Sequence, residues 1–346
     1  MPSDLETLIR EVLTEQADGA PHRATVLAGL RWARGRRPHR RLAMVAAGVA
    51  VGLAVIGVPI GLQLTTQPLT AGTQQVLHVQ QPDIPLPYHV TWLPPGYVTS
   101  MRVATPTDLG QTWEPAGHDR AATDLHGSVP FIQLDIFSDA AGDLARTLGD
   151  TSDGVPVDVN GAQAYMSENV SAGDNGVMLT GITATWVPRQ GVTLELSVFN
   201  APNETGMALQ VARSVVPGGT DVIAQPLSLG DLPSRYTDEL EIHGTSASQW
   251  TVSRVATSTD HNDPAITAVW STAEPRLDSR TAITVRGQQG WYGTPTAEPD
   301  AKAEIVALDG HWLMVSMSAG TDMATLTRIA NGVAVFPAVG FPWLGR

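Results

Sequence analysis

The sequence contains no cysteine among its 346 residues. This absence excludes disulfide bonds, thiolate metal sites, cysteine nucleophiles and anchoring through a lipidated cysteine. An exported domain with this composition must therefore be stabilised by its hydrophobic core alone. About 260 residues follow position 87, which is enough chain for one large core or two small ones.

Lysine is almost absent, since Lys302 is the one lysine and every other basic residue is arginine. The chain has 21 basic and 34 acidic residues and a net charge of −13. Residues 1–41 hold eight arginines and five acids, so the rest of the chain carries 13 basic and 29 acidic residues. Such an acidic region is soluble and disfavours nucleic acid as a partner.

The motifs of common enzyme classes are also missing. The sequence has no G-x-S-x-G, S-x-x-K, H-E-x-x-H, P-loop or G-x-G-x-x-G pattern. Its histidines are scattered, and the acidic stretch at 260–263 lacks the glycine and distal glutamate of a calcium loop, so we interpret it as a polar turn. We therefore predict no catalytic residue, no cofactor and no metal ligand. An enzyme of unrecognised type stays open as a minor alternative.

The most informative feature that is present is an uncharged run of 21 residues, from Leu42 to Leu62. As a helix it would span about 31 Å, which matches a hydrocarbon core of about 30 Å. We predict a single transmembrane helix over 42–64, anchored by apolar side chains that include Leu42, Leu53, Ile56 and Leu62. A buried soluble helix is the alternative, although such helices are rarely apolar all round over this length.

Charge predicts the orientation of this span. Seven arginines lie between positions 23 and 41, and the next charged residue after the run is Asp83. Basic flanks stay in the cytoplasm, so we expect the N-terminus inside and the bulk of the chain outside the cell membrane. The residues that set this topology are Arg36, Arg37, Arg40 and Arg41. A cleaved signal peptide is the competing interpretation, but the leader is long and no Ala-x-Ala site follows.

Four glycines in the run have the spacing of helix-pairing motifs. Gly48 with Gly52, and Gly57 with Gly61, each form G-x-x-x-G. Because such glycines let two helices approach closely, they are a candidate face for a homodimer in the bilayer.

Two short helices are predicted before the arginine cluster, at about 3–16 and 22–34. Two helices of this length cannot form a stable domain alone. Two interpretations stay open: a segment at the membrane surface, or a docking element through which residues 1–34 bind a cytoplasmic protein.

Beyond a linker at 65–87 that is uncharged until Asp83, the pattern changes to alternating runs typical of strands. The clearest are Phe131–Phe137, Val155–Val159, Met178–Val187 and Thr193–Phe199, and a helical pattern follows at about 203–216. Similar segments recur later in the chain at offsets of 139, 126, 119 and 118 residues. Steadily falling offsets predict an internal duplication with shortened loops.

These patterns predict an α+β fold class: a single transmembrane helix followed by two tandem α+β units. In each unit we expect an antiparallel sheet with a closing helix packed on one side. The predicted organisation is a cytoplasmic segment, the span, the linker and two extracytoplasmic repeats, at 1–41, 42–64, 65–87, 88–219 and 220–346.

A family resemblance accompanies these patterns. The motif LPPGY at 93–97, a strand-glycine-strand piece, a tryptophan hairpin and a closing helix with Ala212 or Ala330 resemble exported sensor modules of bacterial sigma-factor regulators. They are also distantly similar to the curved sheet of lipoprotein carriers. The resemblance covers about 88–217 and, more weakly, 226–337, where Ser234 and Arg235 replace the Pro-Gly of the motif. The N-terminal layout is similar to small bacterial anti-sigma proteins, and this similarity implies a sigma factor as the cytoplasmic partner of residues 1–34. The resemblance implies a regulatory role and no catalytic residues.

We therefore expect a non-enzymatic, membrane-anchored extracytoplasmic module that binds or senses a ligand or partner, with an anti-sigma-like role in signalling. Its expected partners are the lipid bilayer, a cytoplasmic protein and a second copy of the chain, with no nucleic acid. The alternative is an envelope protein of structural or carrier type that holds a lipid or lipoprotein segment in its curved sheets. An apolar cleft between sheet and helix would favour that alternative.

Overall fold

The computed structural model describes residues 81–117, 129–138, 154–172, 178–230, 232, 235–260, 263–296, 301–318, 322–336 and 341–346. The described part of the chain is mostly β, with two short helices. The predicted segments 1–41 and 42–64, and residues 65–80 of the linker, lie outside the described residues. Residues 81–87 of that linker are described, and they contain a strand.

The strands of the first half are β1 Ile84–Pro85, β2 Tyr88–Val90, β3 Tyr97–Ala104, β4 Asp108–Pro115, β5 Phe131–Ser138, β6 Val155–Val159, β7 Ala162–Ala172, β8 Met178–Arg189, β9 Val192–Phe199 and β10 Val215–Pro217. Those of the second half are β11 Val222–Ile223, β12 Leu227–Ser228, β13 Tyr236–Ser246, β14 Gln249–Ser258, β15 Ile266–Ser271, β16 Thr281–Val285, β17 Gln288–Gly293, β18 Ala301–Leu308, β19 His311–Ser318 and β20 Ala334–Val335. The helices are α1 Glu204–Ser214 and α2 Met323–Gly332.

Fourteen of these strands form one antiparallel sheet in the order β16-β17-β18-β19-β15-β14-β13-β3-β4-β5-β9-β8-β7-β6. The two halves of the chain meet where β13 pairs with β3, from Leu240 opposite Ala104 to His243 opposite Met101. A second contact between the halves is the short pair of β1 with β11. Counted outward from this seam, the first half has the order β3, β4, β5, β9, β8, β7, β6, and the second half has the order β13, β14, β15, β19, β18, β17, β16. The strands therefore follow the same order in each half. Whether this order arose by duplication stays a prediction.

The predicted fold class is wrong. We expected a single transmembrane helix followed by two separate α+β units, and the described residues instead form one continuous sheet of 14 strands with helices of 11 and 10 residues. The physical reason lies at the seam. If the halves were separate, β3 and β13 would each expose a row of unpaired backbone groups. When the two strands pair, these groups form hydrogen bonds with each other.

Among the described residues, none of the helices combines the length and the apolar character that a membrane crossing requires.

Alternating burial shows why these segments form strands. In β14 every second residue is buried, from Trp250 to Ser258. Side chains on one side of the sheet, which we call the helix face, join a single core with Ala208, Val211 and Ala212 of α1 and with Leu326 of α2. The opposite side, which we call the polar face, carries mostly hydroxyl, amide and acidic side chains. The pleat therefore separates an apolar layer under the helices from a hydrogen-bonding layer.

Tight turns set the register of the outer hairpins. Asn160 and Gly161 between β6 and β7 have φ values of 55° and 83°, and Arg286 and Gly287 between β16 and β17 have 54° and 74°. Positive φ at both central residues is the two-residue turn whose twist matches that of antiparallel strands. The two hairpins at the outer ends of the sheet are therefore built alike.

Candidate functional site at the sheet edges

The structure does not place the site residues that the sequence predicts, because all of them lie outside the described residues. They are the anchor residues Leu42, Leu53, Ile56 and Leu62, the topology residues Arg36, Arg37, Arg40 and Arg41, and the pairing glycines Gly48, Gly52, Gly57 and Gly61. Their roles stay predictions. A functional site in the described part must therefore be found from its geometry.

The described residues include buried charged side chains, and one of them is Arg254 on β14. Its side chain is 7% exposed and its Nε donates to Asp238 Oδ2 at 2.5 Å. Its other nitrogens donate to the carbonyl oxygen of Leu227 at 2.7 Å and to the side-chain oxygens of Gln225 and Gln81. Asp238 lies on the neighbouring strand β13, whereas Leu227, Gln225 and Gln81 belong to the short segments around β1, β11 and β12. Arg254 therefore holds those segments to the sheet.

Arg102 on β3 is likewise buried and likewise bonded to a short segment at the seam. It donates to the carbonyl oxygen of Val222 at 2.6 Å and to Asp221 Oδ1 at 3.1 Å, and its guanidinium lies 4.4 Å from the ring centre of Trp343. Burial lowers the pKa of Arg102, and Asp221 partly offsets this effect. Phe341 of the same C-terminal segment packs edge-on against Trp250. This arginine is thus occupied by internal contacts, which indicates a structural role.

The polar face contains hydrogen-bonded hydroxyls. Thr183 Oγ1 lies 2.8 Å from Ser197 Oγ, and Asn169 Nδ2 donates to Thr183 at 3.0 Å. A nucleophilic hydroxyl needs an adjacent base, usually an imidazole or a carboxylate that takes its proton. The partners of Thr183 and Ser197 are neutral, so this group connects strands β7, β8 and β9 without activating a hydroxyl.

Acidic groups do not converge on a metal position in the described residues. No group of three or more histidine, aspartate or glutamate side chains there could hold an ion. In the 260–263 stretch, Asp263 accepts hydrogen bonds from the Ser258 hydroxyl at 2.8 Å and from Arg235. The Ser258 hydroxyl, followed by Arg235, lowers the pKa of Asp263. That carboxylate is therefore already engaged within the protein.

The two outer edges of the sheet remain, and they differ in a way that bears on binding. β6 and β16 each pair with one described neighbour, β7 and β17 respectively. In a hairpin closed by a two-residue turn, the residues beside the turn form a hydrogen-bonded pair, and bonded pairs then alternate along the ladder. The backbone groups that point away from the sheet therefore belong to Pro156 and Asp158 on β6, and to Ala282 and Thr284 on β16.

The β6 edge is closed. Pro156 has no backbone N–H, so it offers no donor to an additional strand. The carbonyl oxygen of Asp158 accepts a hydrogen bond from Arg213 Nε of α1 at 3.2 Å. The charge of Asp158 also opposes pairing with another strand, as is usual at protected sheet edges. Of the four outward backbone groups of β6, the N–H of position 156 is therefore missing and the carbonyl oxygen of Asp158 is occupied.

In the part of the chain that the structure describes, the β16 edge is open. Ala282 and Thr284 are both exposed, and no hydrogen bond from their outward backbone groups to another described residue is present. The strand has no proline and no charged residue between Thr281 and Val285. These properties are the opposite of those at β6, although both strands have the same pattern of burial. β16 is the candidate interaction site.

Sequence reasoning missed this site, but a signal for it was present. Aligning VDVNGAQAY at 157–165 with ITVRGQQGW at 283–291 places Pro156 opposite Ala282 and Asp158 opposite Thr284. The contrast in edge chemistry was therefore visible in the sequence. Only the topology shows that both segments are the outermost strands.

Comparisons with known proteins do not identify a family for this chain. The sequence matches no family model and no curated protein. Among solved structures, the chain is similar to a crystal structure of MucB in complex with MucA(peri), with 12% identity over 69% of this chain and 94% of that chain, and a TM-score of 0.21. It is also similar to the complex structure of Pseudomonas aeruginosa MucA/MucB, with 11% identity over 70% and 94% of the two chains and a TM-score of 0.21. TM-scores this low carry no argument about fold or function.

Proposed function

We propose that this protein is a non-enzymatic, extracytoplasmic protein-binding module with a regulatory role, and that it takes up an extended segment of a partner on the edge of β16. The observation that carries the proposal is the contrast between the two edges. Natural sheets protect their edges against pairing, and an unprotected edge is a template for strand addition. Here the protection is present on β6 and missing on the matched strand β16.

The energetics favour a weak to moderate interaction. An added antiparallel strand would use the N–H and C=O groups of Ala282 and Thr284, which makes four backbone hydrogen bonds. Each such bond contributes about 0.5–1.5 kcal/mol net. The entropy lost when the segment is immobilised offsets part of that gain. Side-chain contacts must therefore decide which partner binds.

The regulatory and extracytoplasmic parts of the proposal are supported by the sequence. The LPPGY motif and the elements after it resemble exported sensor modules, and residues beyond position 41 are strongly acidic, whereas arginines dominate the region before it. Reporter fusions after residue 100 test the location. Activity of a reporter that works only outside the cytoplasm supports it, and activity of a cytoplasmic reporter contradicts it.

The carrier alternative is not supported by the described residues. It requires an apolar cleft between sheet and helix. At that interface Ala184 and Leu196 of the sheet and Ala208 and Ala212 of α1 are completely buried and belong to one core. This filled interface disfavours a lipid-carrying role.

The binding function is tested by blocking the edge. Peptides selected from a displayed library against the full-length, detergent-solubilised protein are measured again on an Ala282→Pro variant. Proline removes the outward donor and its ring obstructs a neighbouring strand, so we expect affinity to fall at least about tenfold. The variant should fold, because Pro156 occupies the matched position on β6.

The matched control is Ala282→Val, which keeps the N–H and favours the strand, and we expect it to bind like the wild type. If the selected peptides bind the proline variant as tightly as the wild type, the edge is not the site and the proposed function is wrong.

A further inference from the structure

The residues around β16 indicate which kind of segment the edge selects. Between Thr281 and Val285 the strand is uncharged, and Ile283 is its partly buried central residue, packed against the core of the helix face. On the inner side Ile283 is paired with Gly290, which has no side chain. The outer flank of Ile283 is therefore where an apolar side chain of an added strand would pack, at a Cβ–Cβ distance of about 4.5–5.5 Å.

Gly290 also holds the backbone close to the next strand. A Cβ at this position would lie 2.5 Å from the carbonyl oxygen of Ile305. The hairpin of β16 and β17 therefore has little freedom to move inward. Ile283 can gain further burial only from a neighbour on its outer side.

Both ends of the strand are positively charged, which is unusual in a chain of net charge −13. Arg280 precedes β16, and its side chain is 38% exposed in an ion pair of 2.6 Å with Glu274. An exposed pair of this type contributes little to stability, so Arg280 can exchange its partner at little cost.

Arg286 follows the strand. Its guanidinium donates to the carbonyl oxygens of Ala330 and Val333 at the end of α2, and no carboxylate contacts it among the described residues. Burial lowers the pKa of Arg286. A half-buried guanidinium without an anionic partner is stabilised when a carboxylate approaches it.

Resting on the proposed function, we infer that β16 selects an extended segment of a partner protein that is apolar at its centre, opposite Ile283, and carries a carboxylate near each end, facing Arg280 and Arg286. Affinity comes from the backbone bonds and selectivity from these side chains.

A second copy of this chain fits the edge less well. Antiparallel pairing of two β16 strands around Ile283 would place Arg280 of one copy opposite Arg286 of the other. Like charges directly opposite each other destabilise a strand pair. The partner is therefore a different polypeptide.

Three capped, fluorescein-labelled peptides test the inference with the full-length protein in detergent: DTTVTTD, NTTVTTN and KTTVTTK. We expect the acidic peptide to bind at least about tenfold more tightly than the basic one in 50 mM salt, with the neutral peptide between them. The difference should shrink in 300 mM salt, because exposed charges are screened. Fluorescence anisotropy reports the binding.

Variants connect the effect to the named residues. Arg280→Gln should reduce the preference for the acidic peptide, whereas Arg276→Gln, a nearby exposed arginine outside the strand, should leave it unchanged. Ile283→Ala should weaken all three peptides. Arg286→Lys, which keeps the charge, should retain the preference if α2 stays intact.

Two results would overturn the inference. If the three peptides bind equally and Ala282→Pro still abolishes binding, the selectivity is wrong while the proposed function stands. If sedimentation shows a wild-type dimer that Ala282→Pro converts to monomer, the occupant is a second copy and the inference of a foreign partner is wrong.

Discussion

Glu304 on β18 is a carboxyl group that is 1% exposed, beneath helix α2, and its protonation should control part of the stability of the fold. Its Oε1 lies within hydrogen-bond distance of Thr327 Oγ1, and its Oε2 has no hydrogen-bond partner among the described residues. Thr327 Oγ1 also lies 2.9 Å from the carbonyl oxygen of Met323. The Thr327 hydroxyl can donate its one proton to the ionised carboxylate or to the carbonyl oxygen of Met323, whereas a protonated Glu304 can itself donate to Thr327.

The direction of the pH effect follows from this arrangement. Burial raises the pKa of Glu304 above its ordinary value of 4.5, and the bond from Thr327 offsets only part of that increase. The folded state therefore binds a proton that the unfolded state releases first. The contribution of Glu304 to stability is therefore largest at low pH and is lost as pH rises from about 4.5 through its folded-state pKa.

Glutamine at this position imitates the protonated acid, since it keeps the shape and a donor for Thr327. A buried polar group that lacks a partner costs about 1–3 kcal/mol, and more when it is charged. We expect Glu304→Gln to raise the free energy of unfolding by about 1–3 kcal/mol at pH 8. At pH 4, where the carboxyl is protonated in both states, the difference should be within about 0.5 kcal/mol.

Urea unfolding of the wild type and Glu304→Gln between pH 4 and pH 8 measures both quantities. Asp83→Asn is the control, because it removes an exposed carboxylate and keeps the buried one. The stability of this variant should change with pH in the same way as that of the wild type. Parallel stability curves for the wild type and Glu304→Gln, or a variant that is less stable at pH 8, would refute the reasoning.

Three further variants test the packing. Gly290→Ala should lower stability by about 1–3 kcal/mol, because the added Cβ would lie 2.5 Å from the carbonyl oxygen of Ile305; an unchanged Tm would contradict this. Arg254→Ala should cost about 1.5–3 kcal/mol in denaturant unfolding through loss of charged hydrogen bonds such as that to Leu227, and a neutral effect would show that the seam does not depend on it. Asp322→Ala should lower Tm at pH 7 by removing the N-cap of α2. Because hydrogen bonds lower the pKa of Asp322, the difference should vanish as pH falls below 3.8, and a constant difference would be inconsistent with capping.

Local structure was largely predictable from the sequence. The alternating runs at 131–137, 155–159, 178–187 and 193–199 correspond to β5, β6, β8 and β9, and the helical pattern at 203–216 contains α1. These predictions succeed because burial on one side of a strand or helix imposes a period on the residues themselves.

The edge chemistry of the candidate site was also written in the sequence but could not be interpreted there. Pro156 closes an edge and Ala282 leaves one open only if both strands are outermost. The position of a strand within a sheet depends on backbone hydrogen bonds to distant segments. Those bonds involve every residue type alike, so they leave no side-chain pattern to follow.

The sequence by itself determined the strands β5, β6, β8 and β9, the helix α1, and the strong charge asymmetry around position 41. Only the tertiary structure decided that the two halves join through β3 and β13 into one sheet, contrary to the separate units that we expected. The reason is that periodic burial is a local property of side chains, whereas edge pairing matches backbone groups about 140 residues apart. That pairing uses one edge of each half and leaves β6 and β16 at the outside, where proline closes one and the other stays open.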